Sequence, residues 1–272
     1  MIMEKSLELF ATHGFNATSV QKITEHCGIS KGAFYLSFKS KDELIFALID
    51  HFMQQHMTKL DQLVRTYETK NANDLLFEFY QTSYDFFKQH ANFTKFFMKD
   101  IQTFNEQLIE KLSYYDKLLE KTILILIEKV YGDKVTLSKY DLLYCIKSFM
   151  GMYVELILFR DFKLDVNLLS KTLVEKTNIL AEHMKAPFIT ENHVKYLDFR
   201  SESITKETLT KLMEEKIVEI EESILKESLT LLKHHMEEEH LPLAIVKGLI
   251  ENIRKHEDLQ WLAYLLEIFF EI

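Results

Sequence analysis

The sequence predicts an all-α protein, and three observations predict it. Six glycines and two prolines in 272 residues leave few tight turns and almost no helix breakers. Apolar residues recur at helical spacing nearly from end to end. Hydrophobic residues make up 47% of the chain and charged residues 28%, enough for a sizeable core, without the run of about 18 apolar residues that a membrane span needs.

The helices follow in order. Ile2, Leu7, Leu9 and Phe10 give a first helix that Gly14 stops. Ser19 caps a second through Val20, Ile23 and Thr24, which ends at Cys27-Gly28, and Ser30 caps a short third through Phe34. The fourth starts at Ser40, with Asp42 and Glu43 in its first turn where carboxylates suit the helix dipole, and continues through Leu44, Leu48 and Phe52. Longer helices are expected over about 72–90, 92–103, 105–131, 137–161 and 165–185, separated by breaks such as Asn71 to Asn73 and Gly132-Asp133. Ala186-Pro187 ends this block and 187–202 reads as a linker. One long amphipathic helix over about 204–239 follows, with Leu209, Met213, Ile217, Ile220 and Ile224 in a stripe. Another helix begins at Pro242 and a last one from about Asp258.

We therefore expect a small helical domain over 1–46, a larger helical domain over 47–186, and an acidic helical extension over 187–272 that packs on the larger domain or on a partner subunit, or serves as an attachment face for another protein. The formal charge of −9 sits almost wholly in that extension, where residues 187–272 hold 18 acidic and 10 basic side chains. Residues 1–70 are balanced at eight of each, and Lys22, Lys31, Lys39 and Lys41 face Glu25 alone in their stretch. Such a local basic patch attracts phosphate even on an acidic molecule.

Two short helices joined through Cys27-Gly28-Ile29 behind a third ending in Gly14-Phe15 form a helix-turn-helix pattern. Ile23, Ile29 and Phe34 point inward, and Gly28 tolerates positive φ. That leaves Ser30 to Ala33 free to enter a major groove. Gly32 and Ala33 are small enough for close approach to base edges, and Lys31 suits guanine or phosphate.

The string from 7 to 48 resembles the DNA-binding domain of the TetR family of transcriptional regulators. The signature runs from Leu9-Phe10 and Gly14-Phe15 through Thr18-Ser19-Val20 and Ile23 to Gly28-Ile29-Ser30-Lys31-Gly32, closing with Tyr35, Phe38, Lys41 and Leu44. The resemblance implies phosphate contacts from Thr18, Ser19, Ser30, Tyr35 and Lys41, with Lys31, Gly32, Ala33 and Leu36 facing bases. Hydroxyls at helix N-termini, a Tyr tip and Lys are suitable phosphate-positioning groups. Two departures stand out. Leu36-Ser37 replaces the family's usual aromatic, His or Arg, and the chain begins inside the first helix without the basic arm of many relatives, which leaves a start further upstream open.

The family resemblance further implies that 47–186 is an effector-binding and dimerisation domain, with an effector pocket and a homodimer closed by the helices near 137–161 and 165–185; Gly151 suits close helix contact there or packing within one subunit. Residues 71–186 are rich in Phe and Tyr, most of them core. Tyr84, Phe87, Phe97, Phe104, Tyr115, Phe149 and Tyr153 are the candidates to line a pocket for an apolar or aromatic effector. The expected function is a ligand-responsive repressor on a palindromic double-stranded operator, cytoplasmic and released by a small molecule. A ligand-dependent activator and a helical interaction module that has lost operator binding are the alternatives. No catalytic motif, cofactor site or membrane segment is visible, so no enzyme is expected. His234, His235 and His240 do not share a helix face, and His51 and His56 are five apart, so neither set reads as a metal site. Cys27 and Cys145 form no disulfide framework, and Cys27 reads as a buried turn residue.

Overall fold

The computed structural model describes the chain except residues 68–70, 101–105, 160–164, 191–192, 194–204, 239 and 271. The described residues form two compact units, Met1–Phe199 and Arg200–Ile272. All their regular elements are helices, and none is long and apolar enough to cross a membrane.

In the first unit, α1 (Ile2–His13), α2 (Val20–Cys27) and α3 (Lys31–Ser37) are short because their sequences stop them. Gly14 takes φ 84°, and Gly28 takes the left-handed conformation at φ 71°, which glycine adopts without Cβ strain. Ser19 Oγ accepts from Lys22 N–H at 3.2 Å, Ser30 Oγ from Ala33 N–H at 3.1 Å and Ser40 Oγ from Glu43 N–H at 3.0 Å. Each cap satisfies an otherwise orphaned amide. Phe10, Ile23, Phe34 and Leu44 are fully buried and form the core beneath the turn.

From Ser40 the chain enters α4 (Lys41–Thr66), whose 26 residues run from the small N-terminal bundle into the larger helical body. That body contains α5 (Ala72–Gln89), α6 (Ala91–Asp100), α7 (Glu106–Tyr131), α8 (Lys139–Met152), α9 (Val154–Phe159) and α10 (Val166–His183). Helix α5 packs on α4, α7 and α10, and α7 packs on α8. A buried hydrogen bond of 2.8 Å between the Tyr80 and Thr177 hydroxyls ties α5 to α10.

The helix expected over 137–161 is interrupted at Tyr153. The Phe149 carbonyl, which the Tyr153 N–H would take in a continuous helix, accepts the Tyr84 hydroxyl, and Tyr153 N–H turns to Gly151 O. Gly151 beside the break favours it, since glycine costs about 1 kcal/mol in a helix interior.

The second unit contains α11 (Lys206–Glu219), α12 (Ser223–Glu237), α13 (Leu243–Arg254) and α14 (Gln260–Phe270). The single helix expected over 204–239 is a hairpin instead, broken at Ile220, whose backbone is extended (φ −85°, ψ 134°) between glutamates 219, 221 and 222. Folding back lays the two helices against each other, and Leu209, Met213, Leu225, Leu229 and Leu232 are buried, which one continuous helix cannot give itself. Ile220 is buried, Ile217 is half-buried, and Ile224 is 61% exposed. Val246, Ile250, Ile253, Leu262 and Leu266 complete a core internal to this unit. Within it Arg254 of α13 pairs with Glu267 of α14 and lies 3.3 Å from Glu251.

Candidate nucleic-acid interface and effector cavity

Helix α3 presents a polar and small-residue face on a rigid scaffold. Phe34 anchors it from below at 0% exposure, while Lys31, Gly32, Tyr35 (52%) and Leu36 (91%) are exposed and Ala33 is half-buried. A Cβ built on Gly32 would meet only Ser30 Oγ at 3.7 Å, so glycine is not required there by packing. Space for an incoming partner is what a side chain would remove. Ser19 and Ser30 use their oxygens as caps, which leaves each exposed hydroxyl hydrogen free to donate to a phosphate.

Two residues expected at phosphates point inward. Thr18 is fully buried and its hydroxyl donates to Gly14 O at 2.8 Å. The Lys41 ammonium donates to Phe15 O at 2.7 Å and Thr18 O at 3.0 Å, and lies 4.0 Å from the centre of the Phe15 ring. Partial burial holds its pKa below the usual lysine range. These contacts make Lys41 a strut that fixes the start of α4 against the loop before α2.

Sequence reasoning passed over Gln21. It is exposed on α2, with its carbonyl 3.4 Å from Lys31 Nζ and its amide 2.9 Å from Glu25. Its position two residues after the Ser19 cap, on the side opposite buried Ile23, was the available signal. Exposed Lys22, whose ammonium caps Ala17 O at 3.2 Å, and exposed Lys39 add positive charge to the same small bundle.

The larger body contains a half-open cavity of about 560 Å³. Its walls are Met53, His56 and Met57 of α4, Phe86 and Phe87 of α5, Phe93, Thr94 and Phe97 of α6, six residues of α7 including Tyr115 and Asp116, and Lys147, Met150 and Gly151 of α8. Of the seven expected residues, Phe87, Phe97 and Tyr115 line it. Tyr84, Phe149 and Tyr153 do not: Tyr84 bonds the Phe149 carbonyl at the helix break, and Tyr153 accepts from Lys176 Nζ at 2.7 Å. Phe104 lies outside the described residues. The Met53, His56 and Met57 contribution was missed, although their three- and four-residue spacing puts them on one face of α4.

Polar groups in the lining are mostly occupied. Tyr115 donates to Asp50 at 2.6 Å, Thr94 donates to His90 O at 3.0 Å, and Lys147 bridges Asp116 at 2.8 Å and Glu120 at 2.6 Å. His56 is different. Its ring is 3% exposed and stacks 4.4 Å from Phe86, and its Nε2 is buried without a hydrogen-bond partner. Burial, with help from Lys59 and His90, pushes its pKa down to about 3, so the imidazole is neutral. Among the described residues no group of three or more His, Cys, Asp or Glu is placed to hold a metal ion.

Helix α6 touches both regions. Phe93, Thr94 and Phe97 face the cavity, while Phe96 is fully buried with its ring 5.6 Å from Phe10 of α1.

Comparison with known proteins agrees with this geometry. Residues 2–48 match the family model described as bacterial regulatory proteins, tetR family. The HTH-type transcriptional regulator YuxN of Bacillus subtilis (strain 168) is 26% identical over 98% of this chain and 97% of its own, and the regulator YerO of the same organism is 23% identical over 94% and 90%. The crystal structure of the transcriptional regulator FadR from Bacillus subtilis in complex with stearoyl-CoA superposes with a TM-score of 0.57 at 19% identity, covering 68% of this chain and 98% of that one. With the capped helix-turn-helix, its exposed α3 face and the helical body behind it, the chain is similar to TetR-family transcriptional regulators, and residues 2–48 match that family's DNA-binding domain.

Proposed function

We propose that the protein binds a palindromic operator as a homodimer in the cytoplasm and represses transcription until an apolar effector fills the cavity. The observation that carries this reading is α6, which lines the cavity with Phe93 and Phe97 and packs Phe96 on Phe10 of the DNA-binding domain. Helix α4 supplies a second route, since it lines the cavity through Met53, His56 and Met57 and is pinned to the domain through Lys41. An occupant that pushes on either helix shifts α1 and with it α3.

Two recognition helices must sit about 34 to 36 Å apart, or a multiple of that, to read adjacent turns of one duplex face. A small shift in each protomer therefore removes simultaneous engagement, and the coupling works in both directions. Dimerisation through α8 and α10 is supported by apolar side chains exposed there, namely Met152, Leu168 and Ile179, the last two on one face of α10, and by exposed Gly151. The largely apolar lining favours a hydrocarbon chain or an aromatic compound, and a FadR of similar fold was solved with stearoyl-CoA.

The test is fluorescence anisotropy on a labelled palindromic duplex. An apolar ligand shown to occupy the cavity should release the duplex, and Phe97→Ala should blunt that response without weakening binding in the absence of ligand. Undiminished DNA binding by protein whose cavity is filled would overturn the reading.

A further inference from the structure

We propose that Leu36 selects a thymine at one fixed position in each operator half-site, by packing on the C5 methyl group of that base. The proposal rests on the operator-binding reading above and adds a base to it.

The starting point is an exposure that folding does not explain. Leu36 is 91% exposed, more than any other large hydrophobic side chain among the described residues. The aromatic residues around it in sequence are held by the domain. Phe34 is fully buried, the Tyr35 ring lies edge-on to it at 5.4 Å, and Phe38 is half-buried with its ring 6.0 Å from Phe34. Almost none of Leu36 is covered in this way, so the domain itself gains little from leucine over a polar residue there.

Its place on the helix says what it faces. Leu36 lies four residues after Gly32 and three after Ala33, spacings that put the three on one side of α3. It also stands about 160° around the helix from the inward-facing Phe34. Gly32, whose Cβ position meets only Ser30 Oγ, lets that side come close to a partner. Exposed Lys22, Lys31 and Lys39 on the same small bundle fit a polyanion better than an apolar protein surface.

The chemistry of the major groove then selects the base. The thymine C5 methyl is the apolar group that the base pairs present there, among hydrogen-bond donors and acceptors. An isobutyl side chain set over guanine O6 and N7, or over the cytosine amino group, strips water from them and returns no hydrogen bond. Over a thymine methyl the same contact removes apolar surface from water on both sides.

Full-length protein and a palindrome that it selects from a random duplex pool test the idea. Each thymine is replaced in turn by deoxyuridine, symmetrically in the two half-sites, which deletes the methyl and keeps the Watson–Crick edge. Fluorescence anisotropy gives the affinities. At one thymine position the wild type should lose about four-fold per half-site, the worth of one buried methyl group, and Leu36→Ala should lose nothing there. Thymines contacted by other residues keep their penalty in both proteins. Leu36→Met, which retains an apolar reach, should retain the penalty at the Leu36 position. Leu36→Ala should melt with the wild type and keep its salt slope, because no phosphate contact is removed. Thymine selection by Leu36 is overturned, with operator binding left standing, if no deoxyuridine penalty disappears in Leu36→Ala. Unchanged affinity of that variant for the unmodified palindrome, a flattened salt slope or lowered melting overturns it as well. If the wild type enriches no palindrome, both readings fall.

Discussion

Replacing Lys41 with Met separates a strut from a phosphate contact. The ammonium makes two hydrogen bonds to backbone carbonyls, at 2.7 and 3.0 Å, and covers the Phe15 ring at 4.0 Å. Hydrogen bonds involving a charged group contribute about 1.5–3 kcal/mol each when buried, and a cation over an aromatic ring about 0.5–1 kcal/mol at an exposed site. This site is only partly buried and Met keeps the aliphatic packing, so we discount to a total of about 1–3 kcal/mol. For a protein of this size that corresponds to roughly 2–10 °C in melting temperature if the unit unfolds cooperatively. The salt dependence of operator binding supplies the second readout. Each neutralised phosphate adds about 0.9 to the slope of log K against log salt, so losing a phosphate contact in both protomers flattens the slope by about two. Lys41→Met should lower melting and leave the slope unchanged within about half a unit, whereas Lys31→Met should leave melting alone and flatten the slope. Calorimetry and salt-titrated anisotropy on the same operator distinguish them. If Lys41→Met flattened the slope by about two with melting unchanged, the inward placement of its ammonium would be refuted.

Three further outcomes follow from the same geometry. Gly32→Leu should fold and dimerise normally, because a Cβ on this exposed residue meets only Ser30 Oγ, at 3.7 Å, yet lose operator binding; retained wild-type affinity would misplace the recognition face. Residues 200–272, with a core of their own in Leu209, Met213, Leu229, Val246 and Ile250, should fold as an isolated fragment with cooperative melting, and a circular dichroism spectrum of random coil would contradict that. The folded pKa of His56, about 3, lies below the unfolded value near 6.5, so between these values the unfolded chain binds a proton that the folded chain refuses. Its contribution is complete above about pH 6.5 and is lost progressively as pH falls toward 3, by at most about 1.4 kcal/mol per unit. Urea titrations from pH 7 to 4 should show a shallower loss for His56→Phe, and parallel curves would refute the assignment.

The DNA-binding end was legible in the sequence because its structure is set locally. Serine caps, Gly14 and Gly28 each act within a few residues, and their conformations follow from short-range rules. The directions of Thr18 and Lys41 were not legible. A hydroxyl or ammonium beside a helix start suits phosphate and backbone carbonyl equally, and only the fold brings Phe15 O and Thr18 O within reach. The helix break at Tyr153 depends on Tyr84, far away in sequence, and the hairpin at Ile220 depends on α11 and α12 covering each other. Helical periodicity runs straight through both.

The cavity shows the same limit. Aromatic richness pointed to the right region, but core and pocket aromatics have the same spacing on their helices. Phe87, Phe97 and Tyr115 became lining residues, and Tyr84 and Phe149 became partners in a backbone contact. His56 read as half of an unconvincing metal pair. In the fold its ring lines the cavity and its Nε2 has no hydrogen-bond partner, properties that the sequence does not carry.

The central claim is an operator-binding regulator whose cavity controls its grip on DNA. In vitro selection from a random duplex pool, with the full-length protein, the Gly32→Leu variant, and the wild type saturated with a cavity-filling ligand, tests it most directly. The account predicts enrichment of one palindrome, with half-sites about one helical turn or a multiple apart, by the free wild type alone. Enrichment that is unaffected by both the variant and the ligand, or the absence of any enriched palindrome, would contradict it.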